Sequence, residues 1–190
     1  MGPNAGYYSY DPTLVLKRPI AIAGPLGAGT QIVGAYLSQR TGLPFVDLDR
    51  GIEHLAGQSL LELHLTKGAG FVHRMERKLM KKVLAQNPPA IVALGEGALS
   101  SSYARFFATR NATLVYLKHE REILDDQLSK LSANDLAIFT GVLPNENVYS
   151  GYLKKRSKDF ESCAHTLFVG SRSAVHVAHE IIEREENRWQ

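Results

Sequence analysis

Residues 24–31 read Gly24-Pro25-Leu26-Gly27-Ala28-Gly29-Thr30-Gln31, directly after the apolar run Ile20-Ala21-Ile22-Ala23. The glycine spacing is that of G-x-x-x-x-G-K-[ST], the strand-to-helix loop whose backbone N–H groups cradle phosphates. Where that pattern has its Lys this chain has Thr30, and where it has the hydroxyl that holds magnesium this chain has Gln31. The spacing predicts the turn, while the residue types withhold the cation and the magnesium hydroxyl of phosphate chemistry. Anion binding by N–H groups at a helix N-terminus remains open, since it needs no Lys. The plainer reading of Gly24, Gly27 and Gly29 is a tight turn without a ligand.

Two further groups follow later apolar runs. Phe45-Val46-Asp47-Leu48-Asp49 places two carboxylates two residues apart, so that on a strand they point the same way off the pleat. Their plainer reading is helix capping or loop hydrogen bonding. Leu94-Gly95-Glu96-Gly97 brackets a carboxylate with two glycines, which implies a tight turn or a close approach of backbone to a ligand. His176 and His179 share a helical face but lack a third ligand, and no metal site is expected.

The elements that must position these groups are legible as alternating patterns. Short, nearly all-apolar runs at 19–23, 44–48, 90–94, 113–117 and 166–169 read as parallel strands covered on both faces. Helical stripes lie between them, with Val72, Met75, Leu79 and Val83 on one face and Val175, Ala178, Ile181 and Ile182 on another. Ser59-x-x-Glu62 reads as a capping box. The alternation predicts an α/β fold, a three-layer sandwich with a five-stranded parallel sheet whose ligands sit at the carboxyl ends of the strands.

The bounds are consistent with one such domain. The chain has 190 residues, 44% hydrophobic and 22% charged, and a net charge of +3 too small and too scattered to argue for nucleic acid. Residues 1–18 read as a flexible tail or linker and residues 19–190 as the domain. No apolar run approaches the ~20 residues of a membrane span. The single Cys163 fits a packing role and a cytoplasmic or other reducing intracellular compartment.

Taken in order, these landmarks resemble the shikimate kinase family, small P-loop phosphotransferases of the nucleoside monophosphate kinase group, over roughly residues 19–185. The glycine loop through Gly34, Phe45-x-Asp47-x-Asp49 with Ile52-Glu53, Gly57-x-Ser59-Leu60, the segment Gly68 to Glu76, Gly95-Glu96-Gly97, and Arg156 with Phe160 and Ala164 match the family's ordered motifs. The resemblance implies P-loop kinase topology. It implies a nucleotide loop at Gly24, Gly27, Gly29, Thr30 and Gln31, a catalytic position at Asp47, and a substrate pocket of Asp49, His73, Gly95, Glu96, Gly97 and Arg156.

The family grips the shikimate carboxylate with an Arg where this chain has His73, keeps glycine where this chain has Glu96, and carries an Arg in a lid where residues 135–140 have no basic residue. These departures lead to the expectation of a pseudokinase, with phosphoryl transfer lost or very weak and a present role in binding or regulation. A His73–Glu96 pair is expected to fill the pocket. Lys154 and Lys155 are the candidates for a substitute cation. The alternatives are an active shikimate kinase with an unorthodox loop and a ligand-sensing domain of a larger regulator or multidomain enzyme. No cofactor is expected, ATP and magnesium entering only with the enzyme alternative. The expected partner is a small anion, a metabolite or a protein, with neither nucleic acid nor membrane.

Overall fold

The computed structural model describes residues 16–128 and 146–187. Its strands are β1 (Ile20–Ala23), β2 (Phe45–Asp47), β3 (Ile91–Ala93), β4 (Thr113–Lys118) and β5 (His165–Phe168). They form one sheet in the order β2-β3-β1-β4-β5, every neighbouring pair parallel. The helices are α1 (Thr30–Thr41), α2 (Leu48–Ala56), α3 (Leu60–Lys67), α4 (Ala69–Leu84), α5 (Ser102–Asn111), α6 (Arg121–Leu128), α7 (Glu146–Glu161) and α8 (Ala174–Asn187).

The central strand β1 shows why the sheet is covered on both faces. Successive strand residues point to opposite sides. Ala21 and Ala23 therefore join Val92, Leu114 and Tyr116 against α4, α5 and Phe160 of α7, while Ile20 and Ile22 join Ile91, Val115 and Leu117 against α1 and α8. All four residues of β1 are buried. Each isoleucine contributes about 1.5–3 kcal/mol by leaving water. A strand with two apolar faces has no polar alternation, which is why it reads in the sequence as an unbroken apolar run.

The expected strands are present within a residue or two of their expected ends. The one consequential boundary is that of β2, expected to run through Leu48. It stops at Asp47 because the Asp47 carboxylate accepts from the N–H groups of Asp49 (3.0 Å) and Arg50 (3.4 Å) and starts α2 there. Asp49 thus belongs to the first turn of α2, and the expectation that the two carboxylates point the same way from a strand is corrected. The capping box forms, Glu62 N donating to Ser59 Oγ and Ser59 N to Glu62 Oε2.

Packing begins ahead of Pro19. Leu16 is buried in the α1–α8 core, and the Arg18 guanidinium donates to the carbonyls of Thr109, Arg110 and Ala112 at the C-terminal end of α5, where a cation is favoured. The lid segment 135–140 lies outside the described residues. Among the described residues no helix is long and apolar enough to cross a membrane.

Candidate functional site

The turn from β1 into α1 depends on left-handed backbone at Gly27 (φ 84°) and Gly29 (φ 76°), a region that L side chains rarely adopt. Gly29 caps α1 without any side chain, and no acidic residue occupies the first turn. The first-turn N–H groups therefore remain available. The loop is also tied down from another strand. His119, immediately after β4, donates Nε2–H to the Ala28 carbonyl at 3.0 Å. Burial pushes the His119 imidazole below its ordinary value, partly opposed by that hydrogen bond, and its Nδ1 is buried without a partner. The carbonyl only accepts, so Nε2 carries a proton, and burial favours the neutral ring. Thr30, at the position of the pattern's Lys, is buried.

A cavity of about 260 Å³ opens beside this loop, walled by Asp49, Glu53, His73, Glu76, Glu96 and Gly97 among others. Glu76 is its deepest carboxylate. It comes from α4, is 3% exposed, and its Oε1 accepts from Gly97 N at 3.1 Å. The two glycines are needed here for space. A Cβ at Gly95 would collide with Glu76 Oε1 and Asp49 Oδ1, and one at Gly97 with the His73 ring and Glu76 Oε2. Burial first, then the Asp49 charge, pushes Glu76 up from 4.5 to about 8. Burial, then the charges of Asp47, Glu53 and Glu96, pushes Asp49 up from 3.8 to about 7. Two carboxyls so close and so dry hold their protons well above the ordinary carboxylate range.

Glu96 turns to α7. Its Oε1 accepts from Arg156 Nε at 2.8 Å and from the Tyr152 hydroxyl, with side-chain exposures of 7% for Arg156 and 13% for Glu96. Arg156 also reaches Asp159 at 3.6 Å and stacks over the Phe160 ring, 4.9 Å from its centroid. Burial works against its charge, but Glu96, Tyr152 and Asp159 outweigh it and hold the guanidinium above its ordinary value.

The expected His73–Glu96 pair is therefore corrected: the guanidinium 60 residues away takes the carboxylate. His73 is instead pushed below its ordinary value, by burial first and then by Arg156, His64 and Arg77. Lys154 and Lys155 are exposed and do not line the cavity.

The structure thus gathers Gly24, Gly27, Gly29, Thr30, Gln31, Asp49, His73, Glu96 and Gly97 around one cavity. Gly95 lies against its carboxylates and Arg156 behind Glu96. Asp47 caps α2 and lines a neighbouring groove with Gln31 and Tyr36. Sequence reasoning missed Glu76, His119 and Tyr152 as site residues. Glu76 falls one turn after Val72 on the apolar stripe of α4, and a carboxylate on such a stripe is itself a signal. His119 follows a strand directly, where the other site residues were sought. Among the described residues no three His, Cys, Asp or Glu side chains are grouped to hold a metal ion.

The family model for shikimate kinase matches residues 26–186. The chain belongs to the shikimate kinase family. It is 27% identical over 168 residues to shikimate kinase 2 of Salmonella paratyphi B, covering 88% of this chain and 91% of that relative. It is 27% identical over 128 residues to the shikimate kinase of Zymomonas mobilis, covering 67% and 72%. The shikimate kinase of Acinetobacter baumannii, solved in complex with shikimate, superposes with a TM-score of 0.76 at 24% identity, covering 90% of this chain and 95% of that one. The Aquifex aeolicus shikimate kinase gives 0.76 at 18% identity, covering 90% and 97%. These structures share the fold of the family, the α/β P-loop kinase sandwich.

Proposed function

We propose that this chain is a pseudokinase of the shikimate kinase family, folded as a kinase and working by binding rather than by phosphoryl transfer. The observation that carries the reading is the Glu96–Arg156 pair, which puts a carboxylate of the chain itself on the acceptor pocket's guanidinium at 2.8 Å. In the family a glycine at the Glu96 position leaves that space to the substrate. A ligand carboxylate would have to displace Glu96 and then sit beside Asp49 and Glu76.

The donor half supports the same reading. Phosphoryl transfer is mostly positioning and charge stabilisation. A unit charge at ~4 Å with an effective dielectric near ~20 is worth about 4 kcal/mol, so Thr30 in place of Lys costs about a thousandfold in rate at ~1.4 kcal/mol per decade. Gln31 removes the hydroxyl that would hold magnesium.

The retained Asp49, Gly97 and Arg156 favour the rival reading, an active kinase with an unorthodox loop. Ligand-observed NMR with shikimate and a coupled assay with magnesium and ATP separate the two. The unmutated chain should neither bind shikimate measurably at neutral pH nor turn it over. Glu96→Gly should free Arg156 and permit weak binding. Shikimate phosphorylation by the unmutated chain would overturn the proposal.

A further inference from the structure

The cavity has the charge of a cation site. Asp49, Glu53, Glu76 and Glu96 line it, and among the described residues no Lys or Arg does. Resting on the reading that this pocket no longer handles shikimate, we propose that its acidic end binds a small primary amine, held as the ammonium between Asp49, Glu76 and Glu96.

A cluster of carboxylates is not by itself a site, and the orphaned atoms are what point to a ligand. Glu76 is 3% exposed and lines the cavity, yet its Oε2 has no hydrogen-bond donor, and Oε2 of Glu96 is buried and equally unserved. Leaving such an acceptor unmet costs about 1–3 kcal/mol. The orientation of Glu76 is built in, because Gly97 N holds Oε1 and the bare Cα atoms of Gly95 and Gly97 make room for the carboxylate. Both orphaned atoms on the cavity wall are carboxylate oxygens, so what is missing there is a group rich in donors and free of acceptors. An ammonium, with three N–H donors and no acceptor, has that inventory. A metal ion does not suit the arrangement, since the described carboxylates and imidazoles are not grouped to ligate one. The volume of about 260 Å³ sits just below the roughly 300–1,000 Å³ of drug-sized pockets, which limits the occupant to a small molecule.

The groups facing this end come from four sides: Asp49 and Glu53 of α2, His64 of α3, His73 of α4, and Glu96 with Arg156 behind it. Arg156 meets Glu96 and Asp159 through Nε and Nη1, its buried Nη2 has no acceptor, and it lies outside the cavity lining, while His73 is held toward its neutral form. Burial favours protons on Asp49 and Glu76, Asp49 rising to about 7 and Glu76 to about 8, so an entering ammonium displaces them. Binding should therefore release protons and tighten as pH rises, by up to about tenfold per unit for each proton released.

The test uses ethylammonium chloride as the probe, at fixed ionic strength and at about pH 6 and about pH 8, read by ligand-observed NMR and by calorimetry in two buffers of different ionisation enthalpy. Tetramethylammonium, a cation without N–H donors, and acetate serve as the comparison arms. The expected result is saturable ethylammonium binding that tightens toward the higher pH with proton release, little from tetramethylammonium and none from acetate. Glu76→Gln and Asp49→Asn, checked for folding by thermal melts, should each weaken it about tenfold or more, equivalent to ~1.4 kcal/mol. Absent ethylammonium binding at the higher pH, equal binding of tetramethylammonium, or no effect of either substitution would overturn the proposal. Shikimate turnover would sink the pseudokinase reading. A chain that ignores both shikimate and ethylammonium would sink only this inference.

Discussion

Glu76 is a carboxyl whose folded-state value of about 8 stands far above its ordinary 4.5, with burial the chief cause. Between those two values the folded chain binds the proton and the unfolded chain does not. Its contribution to stability is therefore fully present below the unfolded value and lost as pH rises through the folded one. Asp49 acts in the same direction, with its folded value at about 7. Glu76→Gln keeps an acceptor for Gly97 N and removes the charge, so it should stabilise the chain by about 1–3 kcal/mol at pH near ~8 and by little near pH ~5. Chemical denaturation at the two pH values checks this, and a loss of stability at the higher pH would count against it. His73 follows the opposite logic. Burial and Arg156 press its imidazole below 6.5, so its ring resonances should titrate below that value, and the chain should lose stability as pH falls through it. Glu76, His119 and Tyr152 apart, the residues of this site were legible in the sequence, and their pairing was not. The partner of Glu96 comes from α7, 60 residues away, and no local pattern carries that distance.

At the scale of elements, the strands were legible because each is buried on both faces and leaves an unbroken apolar run. The boundary of β2 was not, because Asp47 ends the strand through a side chain bonding to backbone two and three residues on, a local competition that strand patterning does not register. The glycine loop lies between these cases. Its spacing announced the turn, and the left-handed φ of 76° at Gly29 shows what the turn requires. A Cβ there would meet nothing within 4 Å, so crowding is not the constraint and backbone conformation is. Gly29→Val should cost roughly 1–2 kcal/mol whether or not an anion ever binds. Calorimetry should show a lower melting temperature, and an unchanged one would mean that the loop tolerates side chains and owes its glycine to a ligand. His119→Ala should loosen the same loop from the far side by removing the bond to the Ala28 carbonyl. Faster hydrogen exchange at Ala28 and Gly29, with the core amides unchanged, would report it.

On the scale of the whole molecule, β1 and β3 bring a donor half and an acceptor half to one cavity, and the departures from the family pattern fall in both. Thr30 and Gln31 stand at the start of α1 after the loop from β1; Glu96 follows β3, and His73 lies on α4 with its ring beside Gly97. An enzyme that had only changed its substrate would keep the phosphate machinery, so concurrent change in the two halves argues for loss of transfer. Repairing each half separately tests this. Thr30→Lys with Gln31→Ser restores the cation and the magnesium hydroxyl, and calorimetry should then show magnesium-dependent ATP binding stronger than that of the unmutated chain. Turnover of shikimate should stay near background in that double variant, because Glu96 still occupies Arg156 and no Lys or Arg lines the described cavity to take a ligand carboxylate. Adding Glu96→Gly should raise turnover by more than its effect in the unmutated loop, since groups that act on one transition state are not additive. Nucleotide binding by the unmutated chain in the low micromolar range, strengthened by magnesium, would place the defect in the acceptor half alone. Substantial shikimate phosphorylation by the double variant would show instead that the Glu96–Arg156 pair opens readily and that the pocket never closed.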